Sequence, residues 1–276
     1  MKKELIWMLF EAKQIKWYYN KHFYIALMLF LTSFISLSWH FWFLAFNENL
    51  VDPFFPPYND TNRLAWDFFS FWSMQSTIMV VFYSVFKMLY LSTFNLAFKW
   101  VNNFNLRNFI NIALIVAMLS YYLTVWIDGV PSNNPQTKFY YLNYWIPTHI
   151  QHAILPFMLL GYSIADPKEG ISLKRFIKRN YIFYWLYVML YIVIVSTRGW
   201  VLYLIDRRTF VRPWPWYYPY FFFNVRSTFP KGGWAIFFGA FFFFMLVFFL
   251  LGCLLIWINN LSFKFLRKYH VIEVKE

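Results

Sequence analysis

Six stretches of this chain, residues 24–46, 65–91, 109–127, 146–165, 181–205 and 234–258, are almost wholly apolar and lie between short polar, basic or Pro-rich connections. About 20 apolar residues in a helix cross the ~30 Å hydrocarbon layer of a bilayer. Within that layer every backbone N–H and C=O must be paired inside its own segment, and an α-helix does this without help. The pattern predicts an all-α membrane protein with six transmembrane helices. Only 13% of the residues are charged, about half the share of a soluble domain, and no polar stretch is long enough to build a second, soluble core.

The basic residues orient the bundle. Taking both termini as cytoplasmic puts seventeen of the 25 Lys and Arg on the inner side and eight on the outer side, as the positive-inside rule requires. The net charge of +13 therefore reads as topology and not as a nucleic-acid surface. Residues 1–23 read as a basic amphipathic N-terminal segment on the inner membrane surface and not as a cleaved leader. Residues 24–258 form the transmembrane domain and 259–276 a basic cytoplasmic tail. Lys99 and Arg107 are expected in the inner connection between the second and third spans. Lys168, Lys174, Arg175, Lys178 and Arg179 are expected in the inner loop 166–180. Residues 213–223, rich in Trp, Tyr and Pro, are expected at the outer interface or in a re-entrant dip. The single cysteine, Cys253, excludes a disulfide framework and a Cys-based metal site. Heavy use of Phe, Tyr, Ile, Asn and Lys suits an AT-rich bacterial genome, so the expected location is a bacterial plasma membrane.

Polar residues inside a span are costly and mark sites or helix–helix contacts. His149 and His152 stand one helical turn apart on one face at the start of the fourth span. Ser73, Gln75, Ser76 and Thr77 form the most polar part of the second. At 1.5 Å per residue, Ser73 lies about 12 Å, and the two histidines about 4–9 Å, below the outer ends of their spans. His40 and Arg198 fall in the same leaflet, whereas the inner half of the spans reads as nearly all apolar. The expectation is one polar pocket in the outer leaflet.

Three chemistries fit the histidines. Each is by default a satisfied structural side chain. A shared metal is weakly supported, since the chain has only five histidines and two of them, His22 and His270, are assigned to the cytoplasmic side; no metal and no cofactor is expected. The third is a general base that takes the proton from a hydroxyl nucleophile, a task suited to imidazole near neutral pH.

Residues 71–77, Phe-Trp-Ser-Met-Gln-Ser-Thr, resemble the Phe-Thr-x-Gln-Ser-Asn motif in the second span of bacterial relatives of the androgen-induced and androgen-dependent TFPI-regulating membrane proteins. His152-Ala-Ile-Leu-Pro156 is similar to their His-x-x-x-Pro element, and Tyr218-Pro-Tyr to their Tyr-Pro-Phe element before the last span. The three matches are collinear over residues 65–258. The resemblance implies an intramembrane hydrolase of fatty-acid esters of hydroxy fatty acids, with Ser73 in place of the family's threonine and His152 as its histidine. Thr77 stands where the motif has Asn, which puts one hydrogen-bonding partner in doubt.

The resulting expectation is hydrolysis of lipid (fatty-acyl) esters, with Ser73 as nucleophile and His152 as base. His149, Gln75 or Ser76 would orient the base or hold the oxyanion, with Thr77, His40 and Tyr218 in support. Arg198 would hold a carboxylate or phosphate headgroup or else snorkel to the interface. Membrane lipids, an acyl ester or an anionic lipid are the expected partners, and nucleic acid is not. The rival classes are a non-enzymatic lipid or small-molecule binding or transport protein, and a membrane scaffold.

Overall fold

The computed structural model describes residues 20–46, 72–93, 96–128, 145–206 and 233–268, and among them every regular element is a helix. Helix α1 is Lys21–Phe46, α2 is Trp72–Thr93 and α3 is Phe104–Asp128, with a 3-10 helix, Leu96–Asn102, leading into α3. Residues 145–165 form one continuous rod, α4, whose middle turn, Ile150–Ile154, is π-helical. Helix α5 is Tyr181–Asp206, entered through the short helix Leu173–Arg175 and a second π turn, Phe176–Asn180; α6 is Trp234–Lys268. Among the described residues five helices are long and apolar enough to cross a membrane: Lys21–Phe43, Trp72–Thr93, Phe104–Tyr122, Leu173–Val201 and Trp234–Lys268. Their exposed faces carry large apolar side chains such as Phe82, Phe183, Phe242 and Trp257, as a surface solvated by lipid tails requires. This is a helical, membrane-embedded chain.

Several helices begin earlier than hydropathy predicts, because polar caps start them before the apolar run does. Asn20 Oδ1 accepts from the His22 backbone N–H (3.0 Å), so α1 takes in Lys21, His22 and Phe23. Asn103 Oδ1 accepts from the Asn105 N–H (2.9 Å), so α3 starts five residues before position 109. Ser172 Oγ accepts from the Arg175 N–H (3.3 Å), so the expected loop 166–180 is largely helical from residue 173. Each side-chain oxygen satisfies a donor that a helix N-terminus leaves open. Arg107, expected in a connection, consequently lies within the first turns of α3 and is buried. At the far end α6 runs ten residues past position 258. The first seven residues of the expected second span, residues 1–19 and the segment 213–223 with Tyr218 lie outside the described residues.

The chain divides into two compact units. The first, residues 1–40 and 73–168, packs α1, α2, α3 and α4 around Leu29, Val80, Tyr83, Ile110, Leu114, Leu155, Leu159 and Tyr162. Helix α3 is its axis, since residues 110–117 are buried without a break. A helix buried all round is largely apolar all round, and here the one polar residue of the run, Asn111, is hydrogen-bonded to Ser163; small residues such as Ala113 and Ala117 suit close helix packing. Ser36 Oγ donates to the Pro147 carbonyl (3.2 Å), and His22 near the other end of α1 meets Tyr162 near the end of α4 (5.8 Å between rings). The two helices therefore run antiparallel.

The second unit, residues 41–72 and 169–276, is held by aromatic packing of α5 on α6. Trp72 makes edge contacts with Tyr187, Tyr191 and Phe248. Tyr181 Oη donates to the Met245 carbonyl (2.8 Å), and Asn260 Nδ2 to the Ile171 carbonyl (3.0 Å). Phe176 is fully buried against Gly252, where a methyl group would overlap its ring. Glycine is required there by close approach.

Candidate functional site

The His-x-x-x-Pro spacing has a direct backbone consequence. Pro156 has no N–H, so the carbonyl of His152, four residues earlier, loses its α-helical partner. The ladder opens there: the Leu155 N–H bonds to the Ile150 carbonyl, five residues back, and the π turn Ile150–Ile154 carries His152 at its centre. Such single π turns are frequent at functional sites.

Within that turn His152 is held on two sides. Its Nδ1 lies 2.8 Å from the Thr148 carbonyl, and its ring stacks on Tyr121 of α3 (4.3 Å, 27°). A carbonyl only accepts, so Nδ1 carries the proton, and Nε2 of the neutral ring keeps its lone pair. Nε2 has no hydrogen-bond partner among the described residues. His149 is half-buried and arranged alike, with Nδ1 2.9 Å from the Trp145 carbonyl and its ring against Trp145, Tyr121 and Tyr122. His40 of α1 is buried and is an electrostatic neighbour of His152. The structure thus brings His40, His149 and His152 together in the first unit, with Tyr121 between the last two. Among the described residues no three His, Cys, Asp or Glu side chains are placed to share a metal ion.

Ser73 belongs to the same unit and is buried. Its carbonyl accepts from both the Ser76 hydroxyl (2.9 Å) and the Thr77 hydroxyl (2.7 Å). Those two hydroxyl protons are therefore engaged in the backbone of α2, a common use of Ser and Thr in membrane helices. No hydrogen bond joins Ser73 to His152 among the described residues. Gln75 is half-buried, and Arg198 lies half-buried on α5 of the second unit.

Gln151 is a buried polar residue of the π turn that the sequence pattern did not single out. It is fully buried, and neither its Nε2 nor its Oε1 has a hydrogen-bond partner among the described residues. An unpaired buried amide costs about 1–3 kcal/mol, which a bound carbonyl or hydroxyl would recover. The available signal was its position between two histidines in a turn that Pro156 opens.

The expected apolarity of the inner half is overturned at the opposite end of the same helices. There Arg107, 3% exposed, donates from Nη1 to Asp166 Oδ2 (2.8 Å) and from Nη2 to the Asp166 carbonyl (2.6 Å). Its guanidinium also lies 5.1 Å from the Tyr162 ring centre. Lys168 reaches both carboxylate oxygens of Asp166 (3.2 and 3.0 Å). Lys87 of α2, 4% exposed, donates to Asn102 Oδ1, and Asn111 Nδ2 donates to Ser163 Oγ (2.7 Å). Burial pushes the Asp166 carboxyl up, but the charges of Lys168 and Arg107 outweigh it and hold the group below the ordinary carboxylate range. These groups looked like flanks because each stands at the end of an apolar run; folding gathers them.

The chain matches no protein-family model, no curated protein and no solved structure.

Proposed function

We propose that this is a six-span cell-membrane protein with both termini cytoplasmic, which hydrolyses lipid esters at the histidine end of its first unit. The rod over residues 145–165 serves as the sixth crossing, since 21 helical residues span ~30 Å. The reading rests on one observation above the rest: His152 donates a hydrogen bond from Nδ1–H to the Thr148 carbonyl in the opened turn, leaving Nε2 as a fixed base.

In this reaction Ser73 Oγ attacks the ester carbonyl carbon as His152 Nε2 takes its proton. The oxyanion accepts from Gln151 Nε2, which has no other partner among the described residues. Collapse expels the alcohol, which leaves with the proton from His152, and Ser73 keeps the acyl group. Water, giving a proton to His152, then attacks the acyl-serine and releases the fatty acid, and that proton returns to Ser73. Catalytic hydrogen bonds are often unmade before substrate binds, so Ser73 and His152 meet in the complex.

The test is covalent labelling by a lipophilic fluorophosphonate. Ser73→Ala should abolish labelling and His152→Ala should slow it roughly 10²–10⁴-fold, while Ser73→Thr should retain part of it. Folded wild-type protein that neither labels nor hydrolyses a panel of fatty-acyl esters overturns the reading. The second reading is a lipid-ester binding protein without chemistry, favoured by the lack of a Ser73–His152 hydrogen bond among the described residues. It predicts saturable binding of a fluorescent acyl ester with no turnover.

A further inference from the structure

The cluster at the other end of the first unit is unbalanced in charge. Its carboxylate, Asp166, is engaged twice over, by Arg107 and by Lys168. Lys87 stands apart from that pairing. Its ammonium is buried at 4% exposure, its hydrogen-bond partner is the neutral Asn102, and no carboxylate lies in ion-pair contact with it among the described residues. Asp166, Arg107 and Lys168 are its electrostatic neighbours, two cations against one anion. A buried charge without a counter-charge is costly, and proteins resolve this by pairing it.

We propose that this end is a binding site for a phosphate-bearing anion, held by Lys87 and Lys168, with the Arg107–Asp166 pair as its rigid wall. The entrance lies where the cluster reaches the surface: Asn102 is half-buried, the Lys168 side chain is 35% exposed and that of Asp166 17%. Lys87 lies in the last two turns of α2 and Asp166 directly follows α4, and the ends of membrane-crossing helices meet the lipid headgroups. Ammonium groups suit phosphate as point charges, and the Arg107 fork, already filled by Asp166, is not needed. The phosphate belongs either to an anionic phospholipid or to a soluble phosphate compound. This site is independent of the ester chemistry at the histidine end.

The experiment uses the full chain in two arms. In nanodiscs of phosphatidylcholine, spin-labelled phosphatidylglycerol and spin-labelled phosphatidylcholine report lipid preference at the protein surface. In neutral detergent, inorganic phosphate is titrated while thermal unfolding is followed. Wild type should prefer phosphatidylglycerol, or be stabilised by phosphate, and which arm responds identifies the source. Lys87→Gln should reduce the response about fivefold, the worth of one lysine near a membrane surface, and Lys87→Arg should keep most of it. Lys174→Gln, which removes an exposed charge, should leave it unchanged. No response of wild type in either arm overturns the proposal. So does a loss in Lys174→Gln equal to that in Lys87→Gln, which would mark general surface potential. If Lys87→Gln does not fold, Lys168→Gln replaces it with the same expectation, and an unchanged response there overturns the proposal.

Discussion

The two ends of the first unit bury polar groups in different ways. At one end His152 and His149 bond to carbonyls of their own helix, their rings are held by Tyr121, and Gln151 is buried without a partner among the described residues. At the other end Arg107 of α3 and Asp166, 59 residues apart in sequence, close on each other in two hydrogen bonds, one to the carboxylate and one to the backbone carbonyl, and Lys168 joins them. The first end orients single groups and leaves capacity open; the second spends most of its capacity across helices. A polar group that clamps two helices together is expected to matter for stability, and one left partly unmatched for ligands.

The sharpest way to break this comparison is to measure function and stability in the same variants. His152→Ala should lower acyl-ester hydrolysis roughly 10²–10⁴-fold, while unfolding in detergent shifts by only about 1–2 kcal/mol. An equal loss of fold would make His152 a structural histidine, and the two ends would then differ in chemistry alone.

Arg107→Ala should do the reverse. Removing one partner of a buried ion pair costs about 3–5 kcal/mol, and hydrolysis per folded molecule should stay near wild type. The pair also has a pH signature. The folded pKa of Asp166 is depressed, so its stabilisation is complete above the unfolded value near ~3.9. It is lost as pH falls from there through the folded value. Unfolding followed from neutral pH to pH 3 should show an acid limb that weakens in Asp166→Asn; a limb of unchanged slope would place the titrating group elsewhere.

Pro156→Ala sharpens the comparison at the level of the backbone. Alanine restores the N–H that could close an ordinary turn onto the His152 carbonyl, so the variant should be at least as stable as wild type. Closing the π turn rotates His152 away from Tyr121, and misplacing a base by about 1 Å costs up to ~10²-fold in rate. A more stable, slower protein is the expected outcome, checked by thermal unfolding beside ester turnover. Full activity in a stabilised variant would detach the π turn from the site.

How much of this was legible in the sequence differs between the two ends for the same physical reason. Apolar runs locate the helices because burial in lipid demands them, and His152 and Ser73 are conspicuous because each interrupts such a run. Arg107 and Asp166 stand where runs stop, and there a charge reads as a solvated flank until its partner is known. Their pairing is tertiary and has no local signal. The caps were written locally: Asn20, Asn103 and Ser172 each precede a helix that hydropathy starts later. The opened turn at His152 has a local cause, the missing N–H of Pro156, but the apolar run over residues 146–165 reads as an unbroken span. Gln151 was not legible, since a glutamine in sequence does not announce that its amide will be buried.

The smallest expected effect concerns Ser76 and Thr77, which the resemblance placed beside the chemistry. Both hydroxyls donate to the same acceptor, the Ser73 carbonyl, so removing one leaves that carbonyl still satisfied by the other. Ser76→Ala and Thr77→Val should each cost about 0.6 kcal/mol of stability, the average for such bonds in a membrane protein. Fluorophosphonate labelling should be unchanged, because neither proton is available to an oxyanion while it is held by the helix. The double variant removes both donors and should cost more than the sum, since the Ser73 carbonyl then loses two partners at once. A tenfold fall in labelling for either single variant, with unfolding unchanged, would move that hydroxyl from the helix backbone into the reaction, and with it part of what now separates the two ends.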